Sequence, residues 1–178
     1  GTPESLNQVP TLCEAFSKEA SGCDTECMAL TLDKWRTKAV LKAAGITVPA
    51  GTIVAPGQEF RADSVPAGKY IVKPVSADAS EGIGENCVFD ATDPALVKAV
   101  TALHVRFKMP VLVEQFVGDR EFNISLLEHR GRIQALPVAE IDFSKFEPNR
   151  PKVVDYSAKW VTESFAYKNT PRLIPAPV

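Results

Sequence analysis

The chain has no excess charge of either sign: 20 Lys and Arg stand against 22 Asp and Glu, for a formal net charge of -2. Such a surface has no field to gather nucleic acid or anionic lipid, so neither is expected as a partner. It also lacks any apolar run approaching the roughly 20 residues that span a bilayer. Its opening, GTPESLNQVP, carries neither the basic region nor the apolar core of a signal peptide, so no membrane association and a cytoplasmic location are expected. The four cysteines, Cys13, Cys23, Cys27 and Cys87, are too few and too unevenly spaced for a disulfide scaffold. Cys23 and Cys27 lie close in sequence, but no second pair or nearby histidine completes a tetrahedral set. They read as small buried apolar groups, and no metal site is expected. No internal repeat or low-complexity tract is present. The chain starts without Met and stops at RLIPAPV with no closing element, and a piece of something longer is expected.

What is present is an ordinary globular composition, 45% hydrophobic and 24% charged. Val9, Leu12, Cys13, Phe16 and Ala20 recur at helical spacing and predict one amphipathic helix, ended near Ser21-Gly22. TLDKWRTKAVLKAAG predicts a second, with Thr31 as cap, Asp33 in the first turn and Gly45 at the stop. Lys34, Lys38 and Lys42 fall at i, i+4 and i+8 on one face, which by itself reads as a solvated basic stripe. Short β-type runs follow at GTIVA, KYIVKPV and NCVF. Thr92 or Asp93 then caps a helix whose apolar face is Leu96, Val97, Val100, Leu103 and Phe107, with Pro94 at its first position. His104 beside that face reads as a satisfied boundary histidine. PVLVEQF and REFNISLLE are strands, and RIQALPVAEI is a hairpin partner across a turn at HRG, where His129 is exposed. The long loop DFSKFEPNRPKVVDYSAKW is functional or disordered.

Two stretches carry chemistry. In YIVKPVSADASEGIG an apolar strand delivers Lys73, an ammonium that needs an anionic partner if its surroundings are packed. The loop beyond it offers Ser80, Gly82 and Gly84, whose amides can wrap phosphate oxygens, although a flexible hairpin tip explains them equally well. In PVLVEQFVGDREF, Glu114 ends one strand and Glu121 opens the next. The backbone from Gln115 to Val117 runs alongside them. A strand edge of that kind can read an adenine while a carboxylate accepts from ribose hydroxyls. Taken singly, both glutamates are ordinary strand-end charges.

Together, Lys38, Lys73, the Ser/Gly loop, Glu114 and Glu121 follow the order of the ATP-grasp ligases, and the sequence resembles the D-alanine–D-alanine ligase family in particular. The resemblance runs from ALTLDKWRTKAVLKAAGITVP through YIVKPVSADASEGIG and VLVEQFVGDREFNISLLE to LPVAEIDF and DYSAKW. It implies an α+β, ATP-grasp fold of two small sheet-bearing lobes with the nucleotide between them, truncated at both ends. Residues 1–30 would be a helical remnant of an N-terminal domain, 31–109 the central subdomain and 110–178 the first part of the C-terminal subdomain. On this resemblance Lys38 and Lys73 hold the phosphates of ATP. Glu114 and the backbone of Gln115, Phe116 and Val117 bind the adenine, and Glu121 takes the ribose. Ser80 falls near the nucleotide and first substrate, and Lys159 matches a lysine that closes over the terminal phosphate. Lys159 and Ser80 are thus the expected catalytic residues.

The activity implied is an ATP-dependent carboxylate–amine ligase of peptidoglycan synthesis. One D-alanine carboxylate attacks the terminal phosphate of ATP, and the amine of a second D-alanine displaces the resulting acyl phosphate. Positioning and charge neutralisation carry most of such a reaction. Magnesium is expected alongside ATP, but its ligands and the arginine that stabilises the tetrahedral intermediate belong to a family segment not found here. The isolated chain is therefore expected to turn over little. Trp160 stands where many members carry tyrosine and offers no hydroxyl, which leaves the second substrate open. The expected partners are small amino acids, D-alanine foremost, with a homo-oligomer or a complementing chain covering exposed edges. The alternatives are a catalytically incomplete ATP-binding module and an ATP-grasp ligase for another amino acid.

Overall fold

A computed structural model describes residues 3–177, which divide into two compact units, residues 3–82 with Val88–Phe116, and Ile83–Cys87 with residues 117–177. The first unit opens on helices α1 (Pro3–Leu6), α2 (Gln8–Ala15), α3 (Thr25–Leu32) and α4 (Lys34–Ala43). α2 ends earlier than its apolar spacing predicts. The second predicted helix is two helices, because Asp33 caps α4 by accepting from the amides of Trp35 and Arg36. Thr31 lies inside α3 and donates to Cys27 O instead of capping. A carboxylate at this position satisfies free amides and suits the helix dipole, so it outcompetes a hydroxyl two residues earlier.

Strands β1 (Gly51–Val54), β2 (Lys69–Pro74), β3 (Val88–Asp90) and β4 (Val111–Gln115) form an antiparallel sheet in the order β1-β4-β2-β3. Helix α5 (Pro94–Phe107) begins at an Asp93 cap with Pro94 in its first turn and lies against the sheet. Side chains alternate along a strand. Tyr70 and Val72 of β2 and Val111 and Val113 of β4 therefore enter one core with Val54, Leu96 and Val100. Lys73 and Glu114 fall on the opposite face. His104 is satisfied by Val54 O at 2.9 Å.

In the second unit β5 (Phe122–Asn123), β8 (Ala139–Ile141) and β9 (Arg172–Leu173) make a three-stranded sheet in the order β5-β8-β9. Strands β6 (Leu126–His129) and β7 (Arg132–Ala135) form a separate hairpin. Arg130 and Gly131 both have positive φ at its tip, the requirement of a tight I′ turn. A core of Ile141, Phe143, Phe146 and Ala166 lies below the short helices α6 (Tyr156–Trp160) and α7 (Phe165–Lys168). Arg150 stacks 4.5 Å over Phe146 and pairs with Glu85 at 3.1 Å, which ties the 83–87 segment into this unit.

Candidate functional site

The register of the first sheet places the charged residues. Lys73 is paired with Leu112 and Glu114 with Ile71, so the two ionisable residues are diagonal neighbours on one face. Glu114 Oε1 pairs with Lys73 Nζ, and its Oε2 accepts from Lys38 Nζ, delivered by the second turn of α4. Lys38 also donates to Pro49 O at 2.6 Å. The side chains of Lys38, Lys73 and Glu114 are 14%, 18% and 8% exposed, so one nearly buried carboxylate serves two partly buried ammoniums. The cluster thus holds one more ammonium than carboxylate.

The strand β1 reaches this cluster only because residue 51 is glycine. Gly51 pairs with Glu114, and a Cβ there would lie 2.7 Å from Glu114 Cβ and 2.8 Å from Val113 O. Beside the cluster a cavity of about 620 Å³ is lined by Trp35, Lys38, Lys42, Ile46, Pro49 and Gly51 among others. Along the loop after Lys73, Ala79, Ser80 and Gly82 all have positive φ. For the two non-glycine residues that conformation costs about 1 kcal/mol or more each, and it persists only where surrounding contacts impose it. Gly82 is required for a second reason, since a Cβ would meet the Pro74 ring at 2.6 Å.

In the second unit Glu121 accepts from the Val154 amide at 3.0 Å, and its own carbonyl accepts from Ile141. Lys159 is exposed in the last turn of α6, a helix begun by Asp155, which accepts from Ala158 N at 2.8 Å. Among the described residues Lys159 has no acidic partner. Trp160, its neighbour, is 58% exposed.

No family model matches the chain. A D-alanine–D-alanine ligase of Laribacter hongkongensis is 35% identical over 149 residues, 83% of this chain and 44% of that protein. Among solved structures, a D-Ala:D-Ser ligase from Enterococcus faecalis matches with a TM-score of 0.68 at 22% identity, over 97% of this chain and 47% of that one. A D-alanine–D-alanine ligase from Bacillus anthracis complexed with ATP matches with a TM-score of 0.57 at 19% identity, over 75% and 42%. The chain is D-alanine–D-alanine ligase-like and has the ATP-grasp fold. It spans about half the length of the curated relatives it matches.

Against this ATP-grasp frame, the residues singled out from sequence sort unevenly. Lys38, Lys73 and Glu114 come together in one ion cluster, and the anionic partner that Lys73 required is Glu114 itself. Of the backbone expected to bind the adenine, from Gln115 to Val117, two amides are engaged within the sheet. The Gln115 amide donates to Ala50 O and the Phe116 amide to Lys69 O, both at 2.8 Å, because sheet pairing extends past the strand end. Among the described residues only the Val117 amide of the three has no acceptor. Lys34 was passed over as part of a basic stripe. Its ammonium instead points inward and donates to Pro74 O at 3.1 Å and to Ala77 O. Burial, and next the Lys73 ammonium, pull its pKa down to about 8. Nothing in an i, i+4, i+8 pattern distinguishes the half-buried Lys34 and Lys38 from Lys42, which stays exposed.

Proposed function

We propose that this chain belongs to an ATP-dependent carboxylate–amine ligase of the D-alanine–D-alanine type and that its first unit takes the phosphates of ATP. The observation that carries the reading is the Lys38–Glu114–Lys73 cluster. It holds two partly buried ammoniums that share one carboxylate, at the end of a strand followed by a loop locked in left-handed turns. A polyphosphate would give each ammonium an oxygen partner of its own and free Glu114 to accept from an adenine amino group. The Val117 amide is the remaining backbone donor for the base. Glu121 is assigned to the ribose, Ser80 to the phosphates and first substrate, and Lys159 to the terminal phosphate, where an unpaired and exposed ammonium is suited to closing on charge as it develops. D-Alanine is the proposed substrate, with Trp160 leaving the second amino acid open. Assembly with further copies or a complementing chain is part of the same proposal.

No group of three or more His, Cys, Asp and Glu among the described residues could hold magnesium unaided. No step is therefore routed through a metal. The alternative is an ATP-binding module without turnover. Calorimetry with ADP and ATP decides the binding. A Lys73→Ala variant should bind at least about tenfold more weakly, the loss expected for one charged hydrogen bond. No heat with wild type, or equal affinity in the variant, would overturn the nucleotide site. Phosphate release from ATP with D-alanine, D-serine and a panel of other amino acids then separates ligase from module.

A further inference from the structure

The cysteines were expected to be small buried apolar groups, and of the four only Cys87 is buried. Cys23 is exposed and Cys27 half-buried, and the proposed function uses neither. Both stand at the start of α3, whose cap is Asp24. The Asp24 carboxylate accepts from the Cys27 amide at 2.8 Å, and its carbonyl accepts from the Met28 amide at 3.0 Å. Helix α2 holds the same turn from the side: Glu14 Oε1 accepts from the Thr25 amide at 2.9 Å, and the Thr11 and Thr25 hydroxyls lie 3.2 Å apart. The residue ahead of a cap lies back against the first helical turn. Cys23 is that residue and Cys27 belongs to that turn, so the fold brings the two thiols into hydrogen-bond contact. That bond first, and then burial, push the Cys27 thiol's pKa up. Cys27 therefore keeps its proton and donates it toward the Cys23 sulfur.

We propose that Cys23 and Cys27 are a redox-modification site, a dithiol that a peroxide closes to a disulfide across the start of α3. The exposed Cys23 sulfur attacks one oxygen of hydrogen peroxide. The O–O bond breaks, the departing hydroxide takes the Cys23 proton to become water, and Cys23 is left as a sulfenic acid. The Cys27 sulfur then attacks the Cys23 sulfur. An S–S bond forms, the S–O bond breaks, and the released hydroxide takes the Cys27 proton as a second water. The two thiols together lose two electrons and the peroxide gains them. Cys27 is thus the resolving thiol, and its contact with Cys23 diverts the sulfenic acid from further oxidation. The proposal does not rest on the nucleotide reading.

Peroxide treatment of the folded chain near neutral pH, then alkylation of the remaining thiols in urea and peptide mass spectrometry, tests the site. One Cys23–Cys27 disulfide within the chain should form, lighter than the dithiol by two hydrogens and reversed by dithiothreitol, with Cys13 and Cys87 still alkylated. Sulfinic acid at Cys23 with Cys27 still alkylated, pairing of Cys23 with Cys13, or a bridge between two chains would each overturn the proposal. In Cys27→Ser nothing resolves the sulfenic acid, so dimedone should trap it at Cys23 at least about tenfold more than in wild type. Equal trapping refutes the resolving role. Glutathione redox buffers then separate the fold's contribution from that of mere spacing. At fixed reduced glutathione, the folded chain should be half-oxidised at about tenfold less glutathione disulfide than the chain unfolded in urea. An equal or greater requirement in the folded chain would overturn the assignment, because closeness in sequence would then account for the pair.

Discussion

The sheet of the first unit and the β6–β7 hairpin of the second use the same alternation to opposite effect. In β2 and β4 one face packs under α5, and the other assembles Lys73, Glu114 and, from α4, Lys38. Every residue of β6 and β7 is exposed, including Leu126, Leu127 and Ile133. The first sheet's register is held by burial, since a one-residue slip would put Val72 and Val113 where Lys73 and Glu114 belong. The hairpin's register is held by its turn, through Arg130 and Gly131. Alternating pattern therefore predicts a strand in both places but predicts a core in only one.

The largest effect that would test this contrast is in the shared core. Leu96→Ala, at a side chain with 0% exposure, should destabilise the first unit by about 3–4 kcal/mol in urea unfolding. A loss under about 1 kcal/mol would mean that α5 does not seal the sheet. On the opposite face, Glu114→Gln leaves two ammoniums without their carboxylate and should cost about 3 kcal/mol by the same measurement. Stability unchanged in that variant would show the cluster to be solvated.

The pH dependences of the two units should run on opposite sides of neutrality. Lys34 has a folded pKa near 8 against an ordinary 10.5. The unfolded chain then binds the extra proton between those values, so wild-type stability should rise relative to Lys34→Met as pH increases through that window. In the second unit Arg120 holds Glu140 below its ordinary 4.5 through bonds of 2.6 and 2.7 Å. That contribution is present above pH 4.5 and fades as pH falls through the depressed value, so wild type and Arg120→Gln should converge in acid unfolding. Divergence at low pH would contradict the pairing. The smallest effect belongs to the hairpin. Ile133→Thr, at a position 73% exposed, should shift stability by no more than about 0.5 kcal/mol.

Much of the element order was legible from periodicity: α5 with its Asp93 cap, the strands around Lys73 and Glu114, and the turn at His129-Arg130-Gly131 all follow from local chemistry. The break between α3 and α4 was not, because Thr31 and Asp33 are both competent caps and the choice depends on which amides each side chain reaches. Lys38, Lys73 and Glu114 were recognisable as candidates by their order along the chain. That they neutralise one another depends on the pairing of β2 with β4 and on a helix-to-strand contact across 76 residues of separation between Lys38 and Glu114, which no local window contains. The partners of the Gln115 and Phe116 amides were illegible for the same reason, since their acceptors, Ala50 and Lys69, lie on other segments.

The order of the charged and small residues by itself determined that an ammonium would end one strand, a carboxylate the next, and a glycine-bearing loop would follow the first. Only the tertiary structure decided which lysines face inward and what each one holds. The helical pattern of Lys34, Lys38 and Lys42 repeats along one stripe, and burial is imposed by whatever the rest of the chain brings against it. Carbonyls of residues 74, 75 and 77 claim the first, Glu114 the second, and water the third.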